Sequence, residues 1–165
     1  MIVQILKKIV VVILTIVIVL SGLLFLASQF SFLKVVEVSG LSMYPTFNDG
    51  DTLLMSKVPY MFDNDCKRDD VIVFEKNDTH YIKRVIGLPG ETISIEDNNI
   101  MIDGAILDET FIEDDVDYTD MDGMCLGDNE YFVLGDNRAN SADSRESYLG
   151  AISKDLIHGK ILFLE

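Results

Sequence analysis

The chain has 165 residues, of which 48% are hydrophobic and 25% charged, and its formal net charge is −15. This length suits one modest domain with an accessory segment and excludes two large domains. All 28 acidic residues lie after residue 34, and this acidic balance argues against nucleic acid as a partner, because phosphate binding needs a basic surface.

The first predicted element is an uncharged segment, residues 9–27, with the sequence IVVVILTIVIVLSGLLFLA. As a helix it extends roughly 28 Å, close to the hydrocarbon thickness of a bilayer. A cleaved signal peptide is the alternative, but its apolar region runs only about 7–15 residues, and residues 26–29 offer a poor cleavage site. We therefore expect a transmembrane anchor in the cell membrane.

The charges beside this segment predict its orientation. Lys7 and Lys8 precede it, which places residues 1–8 in the cytoplasm and residues 28–165 outside as an extracytoplasmic domain. Lys34, on the far side, partly offsets this asymmetry.

After the anchor, short runs rich in β-branched and aromatic residues alternate with Gly, Pro, Asn and Asp, and this pattern predicts a mainly β domain. Turns are expected at Asn98-Asn99 and Asp103-Gly104. The predicted strands are Phe32 to Val38, Thr52 to Ser56, Val71 to Glu75, Tyr81 to Ile86, Glu91 to Glu96, Asn99 to Ile102, Tyr131 to Leu134 and Leu156 to Leu164.

An acidic stretch from Asp108 to Asp122 raises the question of a calcium site. Its spacing does not fit an EF-hand loop, because Thr119 stands where a ligand should be and Gly123 comes too late. We expect a solvated acidic loop and no metal.

The only two cysteines are Cys66 and Cys125. The sequence leaves two alternatives, a disulfide between them or two separate thiols, since spacing alone does not show that the two cysteines meet.

Ser42, in SGLSMYPTF (residues 39–47), precedes a Met-Tyr-Pro turn a short way beyond the anchor. A serine hydroxyl is a weak nucleophile until a base removes its proton. Neither His80 nor His158 lies in a motif that would make it that base.

The segment YIKRVIGLPG, residues 81–90, offers a different base. With a strand period of two, Lys83 shares a face with Tyr81 and Val85, whereas Arg84 faces the other way. Desolvation can lower the pKa of such a lysine from about 10.4 toward about 7–8, so that the neutral amine acts as a general base. A strand lysine whose head reaches water is the structural alternative.

A third segment, YFVLGDNRANSADSR (residues 131–145), runs from a strand into a turn dense with hydrogen-bonding side chains. These could form a buried network in which Asp143 pairs with Arg145 and a hydroxyl orients the lysine amine. A polar surface loop fits the composition equally well.

Taken together, and in this order, the three segments resemble type I signal peptidases, the membrane-anchored Ser/Lys proteases that remove signal peptides from exported preproteins. GDTLLMSK, RDDVIVF and GKILF extend the resemblance over most of the chain. The single anchor and short domain look like the compact Gram-positive form. The resemblance implies a fold of antiparallel sheets with one N-terminal transmembrane helix, and no cofactor.

Carried over residue by residue, the resemblance implies that Ser42 is the nucleophile and Lys83 the general base. Ser141 would orient the lysine amine, and Asp143 and Arg145 would form a supporting pair. The backbone N–H of Ser42 would hold the oxyanion.

At the position of Gly40, some members of the family have a serine whose side chain donates a hydrogen bond to the oxyanion. This departure puts that side-chain donor in doubt but not the activity. Two smaller departures, Asp69 for Gly and Glu91 for Asp, do not touch the expected chemistry.

The resemblance also implies an extended substrate with small residues one and three positions before the cut. We expect its pockets to be lined by Met43, Leu54, Tyr81 and Ile82. The apolar run VPYMF, residues 58–62, with Tyr44 and Phe47, either touches the lipid surface or packs in the core.

The expected partners are therefore preprotein signal peptides and the lipid bilayer, with the protein itself a monomer. A non-catalytic anchored β domain that binds exported polypeptides or an envelope partner is the competing hypothesis. An enzyme of the same family dedicated to one substrate is a third.

Overall fold

A computed structural model describes residues 2–29, 32–57, 65–109 and 118–162. The chain divides into two compact units, residues 1–32 and 33–165. Each unit has its own architecture.

The first unit is helix α1 (Ile2–Gln29). Its segment Ile2–Ala27 has a mean hydropathy of 3.3 and contains no buried residue, and among the described residues it is the one helix long and apolar enough to cross a membrane. It extends the predicted 9–27 segment at both ends and includes Lys7 and Lys8. A helix satisfies its own backbone groups, so this surface suits a hydrocarbon environment.

The second unit consists of two antiparallel sheets. The larger has seven strands in the order β1-β2-β11-β3-β4-β9-β10, and the smaller has four in the order β7-β6-β5-β8. Short 3-10 helices cover Arg138–Asn140 and Lys154–Leu156. The strands are β1 (Leu33–Glu37), β2 (Thr52–Ser56), β3 (Val71–Lys76), β4 (Thr79–Gly87), β5 (Thr92–Glu96), β6 (Asn99–Ile102), β7 (Ala105–Ile106), β8 (Met121–Cys125), β9 (Glu130–Leu134), β10 (Ile152–Ser153) and β11 (Ile157–Leu162).

This arrangement confirms the predicted mainly β fold with one N-terminal helix. All eight predicted strands are present. Thr52–Ser56 and Asn99–Ile102 have the predicted bounds, and the ends of the others that can be compared differ by at most two residues; the last predicted strand runs past Leu162, beyond the described residues. Three strands were missed: β7 and β10 have only two residues each, and β8, with the sequence MDGMC, lacks the alternation that marks a strand.

Residues with left-handed backbone conformations form the tight turns. Asn77 and Asp78, with φ of 54° and 59°, connect β3 directly to β4, which explains why both strands run further than predicted. The turn between β5 and β6 is at Asp97-Asn98, one residue before the expected position. The predicted Asp103-Gly104 turn connects β6 to β7.

Strand β4 lies at the junction of three groups of buried side chains. Val85 belongs to the cluster that includes Phe74 and Tyr131. Ile82 packs against the cluster around Met43, and Ile86 belongs to a cluster with Ile93 of the smaller sheet. Because β3 and β9 pair with it on either side, β4 holds its side chains in fixed positions.

Cys66 is buried and Cys125 exposed, and no disulfide joins the two. Of the apolar residues considered for lipid contact, Phe47 is buried in the core and Tyr44 is exposed, while residues 58–62 lie outside the described part of the chain.

Candidate active site

Ser42 lies in a tight loop that follows β1. The loop is closed by backbone hydrogen bonds from the N–H of Phe47 to the carbonyl of Met43 and from Val38 to Asp51. Met43 and Phe47 are buried below it, so the loop is anchored by its apolar side chains. Ser42 itself is half-buried and stays within reach of solvent.

The structure brings Ser42 and Lys83 together. The Lys83 ammonium nitrogen lies 2.7 Å from Ser42 Oγ and 3.0 Å from the carbonyl oxygen of Ile82. The two residues come from the loop after β1 and from the middle of β4. No rearrangement is needed for a proton to pass between them.

The Lys83 side chain is buried, with 3% of its surface exposed. Burial lowers the pKa of Lys83 from 10.5 to about 8, because the charged amine loses its hydration; the negative charges of Asp143 and Asp136 act in the opposite direction. The amine is therefore neutral in a useful fraction of molecules near neutral pH.

The segment of residues 131–145 contacts the Ser42 loop through Asn137. The N–H of Asn137 donates to the carbonyl oxygen of Ser42 at 3.0 Å, and the side-chain amide of Asn137 donates to that of Leu41 at 3.1 Å. Gly135 makes this approach possible, since a Cβ there would overlap the Ser42 carbonyl oxygen and Ser141 Oγ.

Asp143 and Arg145 form the expected ion pair. Arg145 Nε lies 2.8 Å from Asp143 Oδ1, and its terminal nitrogen lies 2.9 Å from Oδ2. Asp143 is fully buried and also accepts a hydrogen bond from the N–H of Gly135. The pair thus supports the loop that contacts Ser42.

Ser141 does not make the expected hydrogen bond to Lys83. Its Oγ is the one buried side-chain polar atom without a hydrogen-bond partner among the residues that the structure describes. The Lys83 amine is held by Ser42 and the Ile82 carbonyl instead.

Gly40 has a φ of +89°, a conformation that side chains other than glycine rarely adopt. Its N–H donates to Asp49 Oδ1 at 2.7 Å. The left-handed backbone gives a physical reason for glycine in place of serine at this position.

A buried ion pair next to Lys83 was missed in the sequence. Arg84 Nε and its terminal nitrogen lie 2.8 and 2.6 Å from the two carboxylate oxygens of Asp136. Thr46 Oγ1 donates to the same carboxylate at 2.5 Å. These contacts join the Ser42 loop, β4 and the segment of residues 131–145. The sequence showed that polar residues occur in these segments but not which of them pair.

A second missed contact involves the acidic stretch. Arg138, buried, pairs with both carboxylate oxygens of Glu109 and donates to the hydroxyl of Tyr118 at 2.6 Å. The stretch is therefore only partly a solvated loop: its described residues anchor the turn that contacts Ser42, and residues 110–117 lie outside the described part of the chain.

The Ser42–Lys83 pair opens into a cavity of about 560 Å³. Met43, Tyr81 and Ile82, predicted to contact substrate, line it, as do Val36 and Val38. Leu54 does not: it lies on β2 opposite Val35 and Leu162, outside the set of described residues around this cavity.

The two histidines contact the carboxylate of Glu75, and His80 also lines the cavity beside Ser42. The Nε2 atoms of His80 and His158 lie 3.4 and 3.0 Å from Glu75 Oε2. Among the described residues, the basic side chain in contact with the Ser42 hydroxyl is thus that of Lys83.

A family model described as "Signal peptidase, peptidase S26" matches residues 6–164. Signal peptidase I S of Bacillus subtilis is 37% identical over 138 residues, which cover 77% of this chain and 73% of the relative. Signal peptidase I T of the same organism is 39% identical over 139 residues, covering 77% and 70%. Signal peptidase I P of Bacillus subtilis subsp. natto is 38% identical over 148 residues, covering 83% and 78%.

Among solved structures, the crystal structure of a signal peptidase I from Enterococcus faecalis is similar, with a TM-score of 0.52 and 31% sequence identity. The match covers 61% of this chain and 98% of that one.

Proposed function

The chain belongs to the signal peptidase family, peptidase S26, and on this basis we propose that Ser42 and Lys83 are the catalytic dyad of a peptidase that removes signal peptides from preproteins. The protein is a serine peptidase and a membrane protein of this family. The 2.7 Å contact between the two side chains is the observation that carries the assignment of residues.

In the proposed reaction, the neutral Lys83 amine takes the hydroxyl proton of Ser42 as Oγ attacks the scissile carbonyl. The backbone N–H of Ser42 donates to the developing oxyanion, a contribution typically worth about 3–4 kcal/mol. The ammonium then gives its proton to the leaving amine. Water, activated by the same amine, hydrolyses the acyl-enzyme and restores the hydroxyl.

The remaining polar residues position the dyad. Asp143 and Arg145 hold the loop below Ser42, and Gly40 shapes the backbone before it. Ser141 is a proposed positioning residue for the Lys83 amine. Its unpaired buried hydroxyl supports this role, since such atoms are uncommon without a functional reason.

The substrate side of the proposal rests on the cavity beside Ser42. An extended chain can lie along β4 with its small side chains directed toward Met43, Tyr81 and Ile82. We infer cleavage after an Ala-x-Ala-like sequence, as the family resemblance implies, and the apolar residues that line the cavity suit uncharged side chains.

We propose that residues 9–27 of α1 span the bilayer, with residues 1–8 in the cytoplasm and the catalytic domain, residues 28–165, outside. Lys7 and Lys8 support this orientation. The protein acts as a monomer, since one chain supplies every residue assigned to the dyad and its support.

The test is product mapping. Full-length protein in detergent is incubated with a peptide that carries an Ala-x-Ala signal-peptide boundary, and the products are identified by mass spectrometry. We expect two fragments that meet after the second alanine. Binding without products would support the non-catalytic hypothesis instead.

A further inference from the structure

Glu75, His80 and His158 come together from three neighbouring strands of the larger sheet. Glu75 on β3 stands directly opposite His80 on β4. His158 lies on β11, which pairs with β3 on the other side, at a position where the register between Ile157 and Gly159 is irregular. At this irregularity the His158 Nε2 atom lies 3.0 Å from Glu75 Oε2.

The spacing of the three groups fits a metal ion. Zn²⁺ binds imidazole nitrogen and carboxylate oxygen at about 2.0–2.2 Å, so neighbouring ligand atoms in a tetrahedral site lie about 3.3–3.5 Å apart. The Glu75 Oε2 to Nε2 distances are 3.4 Å for His80 and 3.0 Å for His158. All three ligand atoms lie within 4.8 Å of one another.

We propose that Glu75, His80 and His158 bind one Zn²⁺ ion, with a water molecule completing its coordination. Two imidazoles and one carboxylate suit zinc far better than calcium or magnesium, which prefer oxygen ligands. The side chains are 39%, 62% and 42% exposed, so the ion can enter from solvent and keep an open position for water.

The charges around the cluster favour a cation. Glu75 and His158 also line a cavity of about 390 Å³ whose other charged residues are Lys76, Asp78 and Asp155. The Lys76 ammonium is bound to the carbonyl oxygens of Leu149 and Ala151, so its charge is directed away from the imidazoles. The two aspartates add to the negative potential at the entrance.

The three proposed ligands include neither Ser42 nor Lys83, although His80 also lines the cavity beside that pair. An ion held by β11, β3 and β4 would clamp three strands of the sheet that carries Lys83, and it would stabilise the folded protein as any ligand specific to that state does. The inference does not depend on the proposed peptidase residues, so it can be tested in the Ser42→Ala variant.

The experiment measures Zn²⁺ binding by calorimetry to full-length Ser42→Ala protein in detergent. The protein is purified through a tag without histidine and treated with a chelator. We expect saturable binding of one ion per chain and a rise in Tm with Zn²⁺. With Co²⁺ in its place, the visible absorption should have the intensity of tetrahedral rather than octahedral coordination.

Replacing the ligands tests the assignment. His80→Ala and His158→Ala should each weaken Zn²⁺ binding by about tenfold or more, because removing even a residue that only hydrogen-bonds to a zinc ligand typically lowers the affinity about 10–100-fold. Asp155→Asn, which changes a nearby charge but no ligand, should stay within about threefold of the parent. Both histidines are exposed, and an unchanged Tm without metal would show that the variants fold.

Two results would overturn the proposal. One is the lack of saturable binding to the Ser42→Ala protein. The other is binding that persists unchanged in the double variant His80→Ala/His158→Ala. Either result would leave the peptide-cleavage test of the dyad unaffected.

Discussion

The Lys83 amine nitrogen and the Ser42 hydroxyl oxygen lie 2.7 Å apart, although 41 residues separate them in the chain. A neutral amine at this distance accepts the hydroxyl proton directly. The contact makes specific predictions about activity, pH and stability.

Ser42→Ala and Lys83→Ala should each abolish cleavage of the signal-peptide substrate, because one removes the nucleophile and the other its base. Lys160→Ala, which removes a lysine that pairs with Asp70 elsewhere on the sheet, is the matched control and should retain activity. Cleavage is measured by mass spectrometry, with circular dichroism to verify the fold. Turnover by either dyad variant would exclude the proposed mechanism.

The pH dependence of kcat/KM should follow the Lys83 amine. Burial lowers its pKa to about 8, and only the neutral amine is a base, so kcat/KM should rise about tenfold per pH unit below pH 8 and level off above it. Asp143→Asn removes a charge that raises this pKa and should move the midpoint to lower pH. The same substitution at exposed Asp128 should leave it in place; equal shifts in both variants would contradict the assignment.

Lys83→Met should make the protein more stable at pH 7 while removing its activity. The folded pKa is near 8 and the unfolded value is 10.5, so the unfolded chain binds more protons between these values, and stability from this group rises with pH there. Below pH 8 the buried Lys83 amine destabilises the folded protein by its full amount, about 3 kcal/mol. The Tm advantage of the variant should therefore shrink from pH 8 to 10.5. A pH-independent difference would argue against a desolvated amine.

Arg84→Met should destabilise the protein by about 3–5 kcal/mol, because it leaves the buried Asp136 carboxylate without its cation. Lys154→Met breaks an ion pair with Asp65, which is 72% exposed, and should cost about 0–1 kcal/mol. Thermal unfolding of the two variants in the same detergent compares these costs. Similar losses of Tm would mean that the Arg84 pair has no special role.

Ser141→Ala should lower kcat without lowering Tm. An unpaired buried hydroxyl destabilises the folded state by about 1–3 kcal/mol, because it loses its hydration without gaining a hydrogen bond. Its removal should therefore leave the fold intact. If this hydroxyl positions the Lys83 amine in the reacting complex, cleavage slows; Ser141→Thr, which keeps the hydroxyl, should recover part of the rate. Full activity of the alanine variant would assign Ser141 no part in the reaction.

Local patterns carried most of what the sequence predicted. Short β-rich runs between turn residues identified eight of the eleven described strands, and the resemblance of three segments to a known family pointed to Ser42, Lys83 and the Asp143–Arg145 pair. Strands β7 and β10 were missed because two residues carry no period. Their pairing is decided by neighbouring strands rather than by their own side chains.

Such local patterns do not predict contacts between charged residues that lie far apart in the chain. Arg84 and Asp136 are 52 residues apart, and Arg138 and Glu109 are 29 apart, so which charge meets which depends on the completed fold. The same holds for Glu75 and His158. They meet because β11, near the end of the chain, lies beside β3, and this pairing has no signature in either strand.

The backbone contact between Asn137 and the Ser42 carbonyl also affects when the enzyme can first act. A ribosome delivers the serine first, the lysine some forty residues later and the supporting turn later still. Because a serine hydroxyl without its base is a weak nucleophile, the growing chain gains a working centre only after all three segments have left the ribosome and folded together.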